Sequence, residues 1–320
     1  MNLKNKKLYI SFIKKRFPKL SEMMIEKEYY LSLFLTKISV FINKNSFCEL
    51  NNLLFKGGTL LSKYYLNYHR LSEDLDFCYL DSNRLRSLST SSKLEKEIKS
   101  IEIKLIDNLV DICKGTDFDF KDDRSKNSKY INIINKRKIC VFYIYYKSDY
   151  ISINESRIKI EVNFIEDRLH NPKNVSLLNI VDKLNLTDLD KVELASFKFD
   201  LQKINFKSYD IYEIILEKYR ALLTRKENKE RDVFDLYLIN KQHDIFNINI
   251  EDVYLKLKSI FLYFSIYKDN YNYNLKSIKS NNFKFSDNLD DMVIEDYNLD
   301  EYNQFKANLL EKLKKFKYIK

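Results

Sequence analysis

The chain has only three glycines, two prolines and no tryptophan in 320 residues. Two of the glycines, Gly57 and Gly58, are adjacent, so backbone conformations closed to other residues are concentrated at one place. Cys48, Cys78, Cys113 and Cys140 are scattered without a Cys-x-x-Cys pair, and the three histidines are scattered too. That argues against a structural zinc site. It fits reduced, mostly buried thiols in a cytoplasmic protein. No apolar run reaches the roughly 18 residues that would suggest a transmembrane helix. The basic start of the chain has only residues 8–12 as an apolar stretch, too short for a signal peptide. No internal repeat is visible.

What is present centres on residues 55–77, FKGGTLLSKYYLNYHRLSEDLDF. Residues 52–55 form an apolar run suited to a buried strand. Gly57 and Gly58 allow close backbone approach, and Thr59 can cap a helix beginning at Leu60. The free N–H groups at such a helix start attract anions. Leu60, Leu61, Tyr64 and Tyr65 recur at helical spacing. Alternation along the next strand turns Ser72, Asp74, Asp76 and Cys78 one way and Leu75 and Phe77 the other. Two carboxylates one strand step apart can hold Mg²⁺ or Mn²⁺ through oxygen. Either motif alone reads as a turn or a solvated strand end. The order strand, Gly-Gly-Thr, helix, Asp-x-Asp points to nucleotidyl transfer.

A third carboxylate can come from RIKIEVNF, residues 157–164. Ile158, Ile160, Val162 and Phe164 share one face of this strand, and Lys159, Glu161 and Asn163 the other. Glu161 can therefore join the same metal site, or be an ordinary solvent-facing glutamate.

A second block, ILEKYRALLTRKENKERDVFDLYLI, spans residues 215–239. Residues 212–225 carry an apolar stripe at helical spacing. Lys218 and Arg225, seven apart, share a face of that helix. Lysine suits phosphate as a point charge and arginine binds it bidentately, so both can steady a triphosphate. A break at residues 228–229 precedes a second helix, on which Asp232 and Asp235 share the polar face. The other reading of these four residues is an inter-helix salt bridge, and Asp232 orienting Lys218 is compatible with both.

The net charge is +10, from 56 basic and 46 acidic side chains. The heavy use of Lys, Asn, Ile, Tyr and Phe suggests an AT-rich genome and inflates the lysine count. The charge is nevertheless uneven. Residues 1–19 carry seven basic and no acidic side chains, residues 121–138 seven and two, and residues 306–320 six and one. Basic clusters interleaved with Tyr and Phe suit RNA, with solvated surface as the plain alternative.

Helices are expected over residues 20–42 and 92–113. Strands are expected over 116–120, 130–135, 139–146 and 157–165, with a turn or flexible loop at 121–129. Residues 1–165 would form a mixed sheet with flanking helices. Residues 166–208 would be a connection, in which 194–199 adds one more strand. Residues 209–320 would be mainly helical, with a loop at 270–285 before a last helix at 299–316. The expected class is α+β.

The two blocks, KGGTLLSKYY with RLSEDLDF and then residues 215–239, resemble the AbiEii/AbiGii toxin family of the DNA polymerase β-like nucleotidyltransferase superfamily. The resemblance covers about residues 20–245. It implies that Gly57, Gly58 and Thr59 face a nucleoside triphosphate, and Ser72 and Arg225 are read beside them as further nucleotide contacts. It implies that Asp74 and Asp76 bind metal, and that Lys218 and Asp232 match the lysine and acidic residue of later motifs. Lys56, Arg231 and Asp235 are neighbouring candidates. The implied activity is metal-dependent transfer of NMP from an NTP to an acceptor hydroxyl, with Mg²⁺ or Mn²⁺. The acceptor could be RNA, such as a tRNA 3′ end, and the protein a bacterial toxin of an abortive-infection phage-defence pair with a cognate antitoxin. Two alternatives stay open: NMP transfer to a protein hydroxyl, and a non-catalytic nucleic-acid-binding protein on the same fold.

Overall fold

The computed structural model describes residues 3–123, 128–150, 152, 156–197, 203–286, 289 and 293–319. They fall into two compact units: Met1–Ile165 with Lys173–Ser208, and Glu166–Pro172 with Tyr209–Lys320.

The first unit opens with helices α1 (Leu3–Arg16) and α2 (Glu22–Lys44). The Ser21 side chain caps α2 by accepting from the Met24 N–H, which satisfies an otherwise orphaned donor. Strand β1 (Leu53–Lys56) leads into the short helix α3 (Gly57–Leu60), which continues as a π-helical turn over Leu61–Tyr65. Strand β2 (Asp74–Tyr79) and helices α4 (Ser82–Arg86) and α5 (Ser91–Cys113) follow. In α5, Leu94, Ile98, Ile101, Leu105, Leu109 and Ile112 recur every three or four residues, and all are buried. Strands β3 (Phe118–Asp119), β4 (Ile131–Ile134), β5 (Ile139–Tyr146), β6 (Arg157–Asn163) and β7 (Lys173–Leu177), helix α6 (Asp188–Ser196) and strand β8 (Ile204–Ser208) complete the unit.

The strands form one mixed sheet in the order β3-β5-β6-β2-β1-β8-β7, with β4 also paired to β5. β2 lies at its middle, parallel to β6 and antiparallel to β1. Leu75, Phe77, Ile158, Ile160 and Val162 are almost fully buried, so β2 and β6 each place one face in the core. Helix α2 packs against β6 and β8.

The second unit contains helices α7 (Ile211–Thr224), α8 (Glu230–Asn240), α9 (Ile250–Tyr263), α10 (Ser265–Lys279) and α11 (Leu299–Lys314). α7 packs against α8, α9 and α10. Buried Asn274 on α10 donates to the carbonyls of Leu223 and Arg225 at 3.2 and 2.8 Å, which satisfies acceptors left open at the end of α7. The α+β class, the mixed sheet with flanking helices and the mainly helical C-terminal part are as expected.

Three segments differ from expectation. Residues 194–199 were expected as a strand, but up to Ser196 they belong to α6. A capping box between Thr187 and Asp190 starts that helix, and residues 198 and 199 lie outside the described residues. Residues 166–208 are more than a connection, since they supply β7 and β8 to the sheet. Residues 270–279 are helical rather than a loop. Tyr271, Asn274, Leu275 and Ile278 form the buried stripe of α10, which its many Asn, Ser and Lys side chains conceal. Within the expected 121–129 loop, residues 124–127 lie outside the described residues. All four cysteines are free, and three of them are buried. Among the described residues no helix is long and apolar enough to cross a membrane.

Candidate active site

In the first unit the candidate residues gather where β1, β2 and β6 lie side by side. The register sets Asp76 opposite Lys56 on β1 and opposite Glu161 on β6, and sets Asp74 opposite Lys159. Paired positions share a face, so Asp74, Asp76 and Glu161 occupy one face of the sheet. Each is half-buried.

Gly57 has φ +79°, a conformation that L side chains rarely adopt. A Cβ there would overlap Oδ2 of Asp76 and lie 3.0 Å from its Cβ. At Gly58 a Cβ would come within 2.8 Å of Arg70 Nη2 and 3.0 Å of Ser72 Oγ. The two glycines therefore let the backbone lie directly against Asp76, Arg70 and Ser72. Thr59 does not cap a helix that starts at Leu60. Lys56 holds the N-cap position, Thr59 lies inside the first turn, and its buried hydroxyl donates to the Asp74 carbonyl. Its side chain therefore ties the glycine turn to the metal-candidate strand.

Burial, then the charges of Glu161 and Asp74, push the Asp76 carboxyl up to about 6, against the weaker opposing pull of Lys56 and Lys159. Lys159 Nζ stands 3.1 Å from Glu161 and 3.8 Å from Asp74. Burial disfavours its charge, but Glu161, Asp74 and Asp76 together raise its pKa. Among the described residues, no three or more His, Cys, Asp or Glu side chains are gathered closely enough to hold a metal as they stand. A lysine neutralises the carboxylates instead. Asp74, Asp76 and Glu161 put three oxygen-donor side chains on one face, and Glu161 and Asp74 still raise the Asp76 carboxyl against Lys56 and Lys159. That donor set fits a hard divalent cation.

In the second unit Lys218 donates to Asp232 and Asp235, at 2.6 Å each. Arg225 also pairs with Asp232. Lys218, Asp232 and Asp235 are buried, while the Arg225 side chain is 41 % exposed. Burial alone would raise the Asp232 carboxyl, but the Lys218 ammonium and then the Arg225 guanidinium hold it below the usual carboxylate range. The inter-helix ion pairing read from spacing is thus present, joining α7 and α8. Arg231 is half-buried, and its charge helps to hold the Asp232 carboxyl low.

The sequence reading assigned no role to Lys159 or Arg70. The spacing of Lys159, two residues before Glu161, was the available signal. Its position between two carboxylates depends on the β2–β6 register, which no local pattern reveals.

The family model of the AbiEii nucleotidyl transferase toxin of type IV toxin–antitoxin systems matches residues 49–318. The chain belongs to this family. The AbiEii match contains both charged clusters and extends well past residue 245, where the resemblance in the sequence was expected to end. The protein is accordingly a nucleotidyltransferase toxin of a type IV toxin–antitoxin system, which implies an NTP substrate and an antitoxin. Among solved structures it is similar to MenT4, a nucleotidyltransferase toxin from Mycobacterium tuberculosis H37Rv, with 11% identity over 92% of this chain and 86% of that chain and a TM-score of 0.45. No match is found among curated proteins.

Proposed function

We propose that this AbiEii-family enzyme is metal-dependent and transfers NMP from an NTP to a hydroxyl of RNA, such as a tRNA 3′ end, in the bacterial cytoplasm. The observation that supports this most is the carboxylate set Asp74, Asp76 and Glu161, built against the backbone of Gly57. These three residues would hold Mg²⁺ or Mn²⁺. When bound, the cations would neutralise phosphate charge and sharpen the acceptor hydroxyl as a nucleophile.

The hydroxyl oxygen forms a bond to the α-phosphorus, and the bond from that phosphorus to the departing pyrophosphate breaks. The hydroxyl proton passes to a carboxylate. Gly57 and Gly58 let the backbone of the turn lie directly against Asp76, Arg70 and Ser72, and this turn would face the phosphates. Ser72, whose hydroxyl lies beside Gly58, and half-exposed Lys56 would bind a phosphate there. Thr59 contributes by its hold on the Asp74 backbone. Most of the rate would come from positioning and charge stabilisation.

In the second unit Lys218 and Arg225 are the cations that the sequence reading assigns to phosphate, Asp232 and Asp235 hold Lys218, and Arg231 adds charge near Asp232. The net charge of +10 favours a polyanionic acceptor such as RNA over a neutral or basic protein.

The test is transfer of α-radiolabel from each NTP, with Mg²⁺, to total tRNA and to total protein, beside Asp74→Asn and Asp76→Asn. Label in tRNA that disappears in both variants is the expected result. Label in protein alone would replace the RNA reading with transfer to a protein hydroxyl.

A further inference from the structure

The three basic segments in the sequence contain many charges that are already engaged within the protein. Lys6 is buried against Glu26 at 2.6 Å, Arg16 pairs with Asp190, and Arg137 meets Glu102 at 2.5 Å. Lys306 meets Glu230 at 2.7 Å. A better-formed basic and aromatic surface lies elsewhere, on the first unit's sheet.

Three rungs run along β6 on the face that carries the carboxylates. The register pairs Glu161 with Asp76, Lys159 with Asp74 and Tyr143, and Arg157 with Tyr145. Each rung is one two-residue step along the strand, about 7 Å from the next. A pocket of about 240 Å³ lies beside the middle rung and Arg157, lined by Asp74, Lys159, Tyr143, Arg157, Lys27 and Glu73 among others, while Asp76, Glu161 and Tyr145 do not line it. Asp74 and Lys159 line the pocket and also belong to the carboxylate cluster, so the two adjoin. The Arg157 guanidinium lies over the Tyr143 ring, 4.3 Å from its centroid, and Arg157 is exposed. Lys27 on α2 pairs with Glu73 at 3.1 Å.

We propose that this pocket seats the terminal, hydroxyl-bearing nucleotide of a single-stranded RNA acceptor. The inference rests on the RNA reading of the reaction. The Arg157–Tyr143 pair offers a cationic plane and an aromatic plane for stacking on a base. Arg157 supplies a cation for the adjoining phosphate, while Lys27 is held by Glu73. One nucleotide fills a pocket of this size, whereas a duplex end would have to unpair first, so recognition favours single strands. Asp74, which lines the pocket and also belongs to the carboxylate cluster, marks where the acceptor hydroxyl has to arrive.

The experiment uses the full chain and a fluorescein-labelled single-stranded RNA of about ten nucleotides, long enough for one binding site. A hairpin with a blunt, paired end is compared by fluorescence anisotropy. Arg157→Ala and Tyr143→Ala are expected to weaken binding of the single strand by about 5-fold to 100-fold, and Tyr143→Phe to retain it. In the labelling reaction the same alanine variants should raise KM for RNA while KM for NTP stays within about twofold. Circular dichroism checks each fold. Arg157, being exposed, carries the test if Tyr143→Ala unfolds. Unchanged affinity and KM in folded Arg157→Ala would overturn the pocket, while label in RNA from wild type would leave the reaction standing. A hairpin bound as tightly as the single strand would also overturn it. If wild type neither binds nor labels RNA and labels protein instead, both readings fall.

Discussion

The backbone of Gly57 lies so close to Asp76 that a β-carbon at position 57 would overlap the Asp76 carboxylate. The same glycine has φ +79°, so two independent constraints act on one residue. Gly115 separates them, because its φ is +70° and nothing lies within 4 Å of where its Cβ would be. Gly115→Ala should therefore cost only left-handed backbone strain, about 1–2 kcal/mol, with transfer activity retained. Gly57→Ala should cost more than this and lower activity by at least about tenfold, since it displaces a candidate metal ligand. Urea unfolding and α-label transfer, run on both variants, give the comparison. Equal effects at the two positions would show that the contact with Asp76 has no functional weight.

Asp76→Asn is expected to abolish transfer and yet stabilise the protein. The folded Asp76 carboxyl is raised to about 6, above its unfolded value near 4, so its ionised form is disfavoured by folding. The unfolded state therefore loses its proton first as pH rises, and the penalty grows from about pH 4 and is complete above about pH 6. At pH 7 the asparagine variant should be more stable by about 1–3 kcal/mol, with the advantage fading as pH falls below about 6 and gone by about pH 4. Urea midpoints across this range, without metal, would record it. A less stable Asp76→Asn at pH 7 would contradict the electrostatic account.

Lys159 neutralises Asp74 and Glu161 at the place where a cation would bind. Replacing it with methionine removes a competing charge and keeps much of the side-chain volume. Mn²⁺ affinity, measured by titration calorimetry, should rise by about tenfold, a small share of the Coulomb energy available at about 4 Å. Unchanged or weaker Mn²⁺ binding would mean that the metal does not enter between these carboxylates.

Much of the first unit was legible because its signals are local. Alternation marks β6, the buried i, i+3, i+4 pattern marks α5, and Gly-Gly-Thr before Asp-x-Asp marks the turn and strand of the site. What was missed depends on partners distant in sequence. β7 has a short, mostly exposed pattern and is a strand by virtue of pairing with β8. Helix α10 hides one buried stripe among polar residues, and its Asn274 is buried because it closes the end of α7. The position of Thr59 within the first turn followed from Lys56 holding the cap, which a string of residue types does not decide. For Lys159 the deciding fact was the parallel register of β2 with β6.

The Lys218 cluster allows catalysis and structure to be separated. Lys218→Ala would leave Asp232 and Asp235 buried without their shared cation, a loss expected to cost about 3–5 kcal/mol. A fall in activity from that variant alone would therefore be ambiguous. In Lys218→Met with Asp235→Asn, one charge of each sign is removed and Arg225 still faces Asp232, so most of the stability should return. If Lys218 serves the triphosphate, this double variant should fold well and still lose turnover by at least about a hundredfold. If its role is only to join α7 to α8, activity should recover with stability. Acid should act on the cluster in the opposite sense to Asp76. The folded Asp232 carboxyl is held low, so its stabilisation is complete above the unfolded value near 4 and is lost as pH falls below it. Wild type should therefore lose stability more steeply below about pH 4 than Asp232→Asn does, in urea titrations at matched ionic strength.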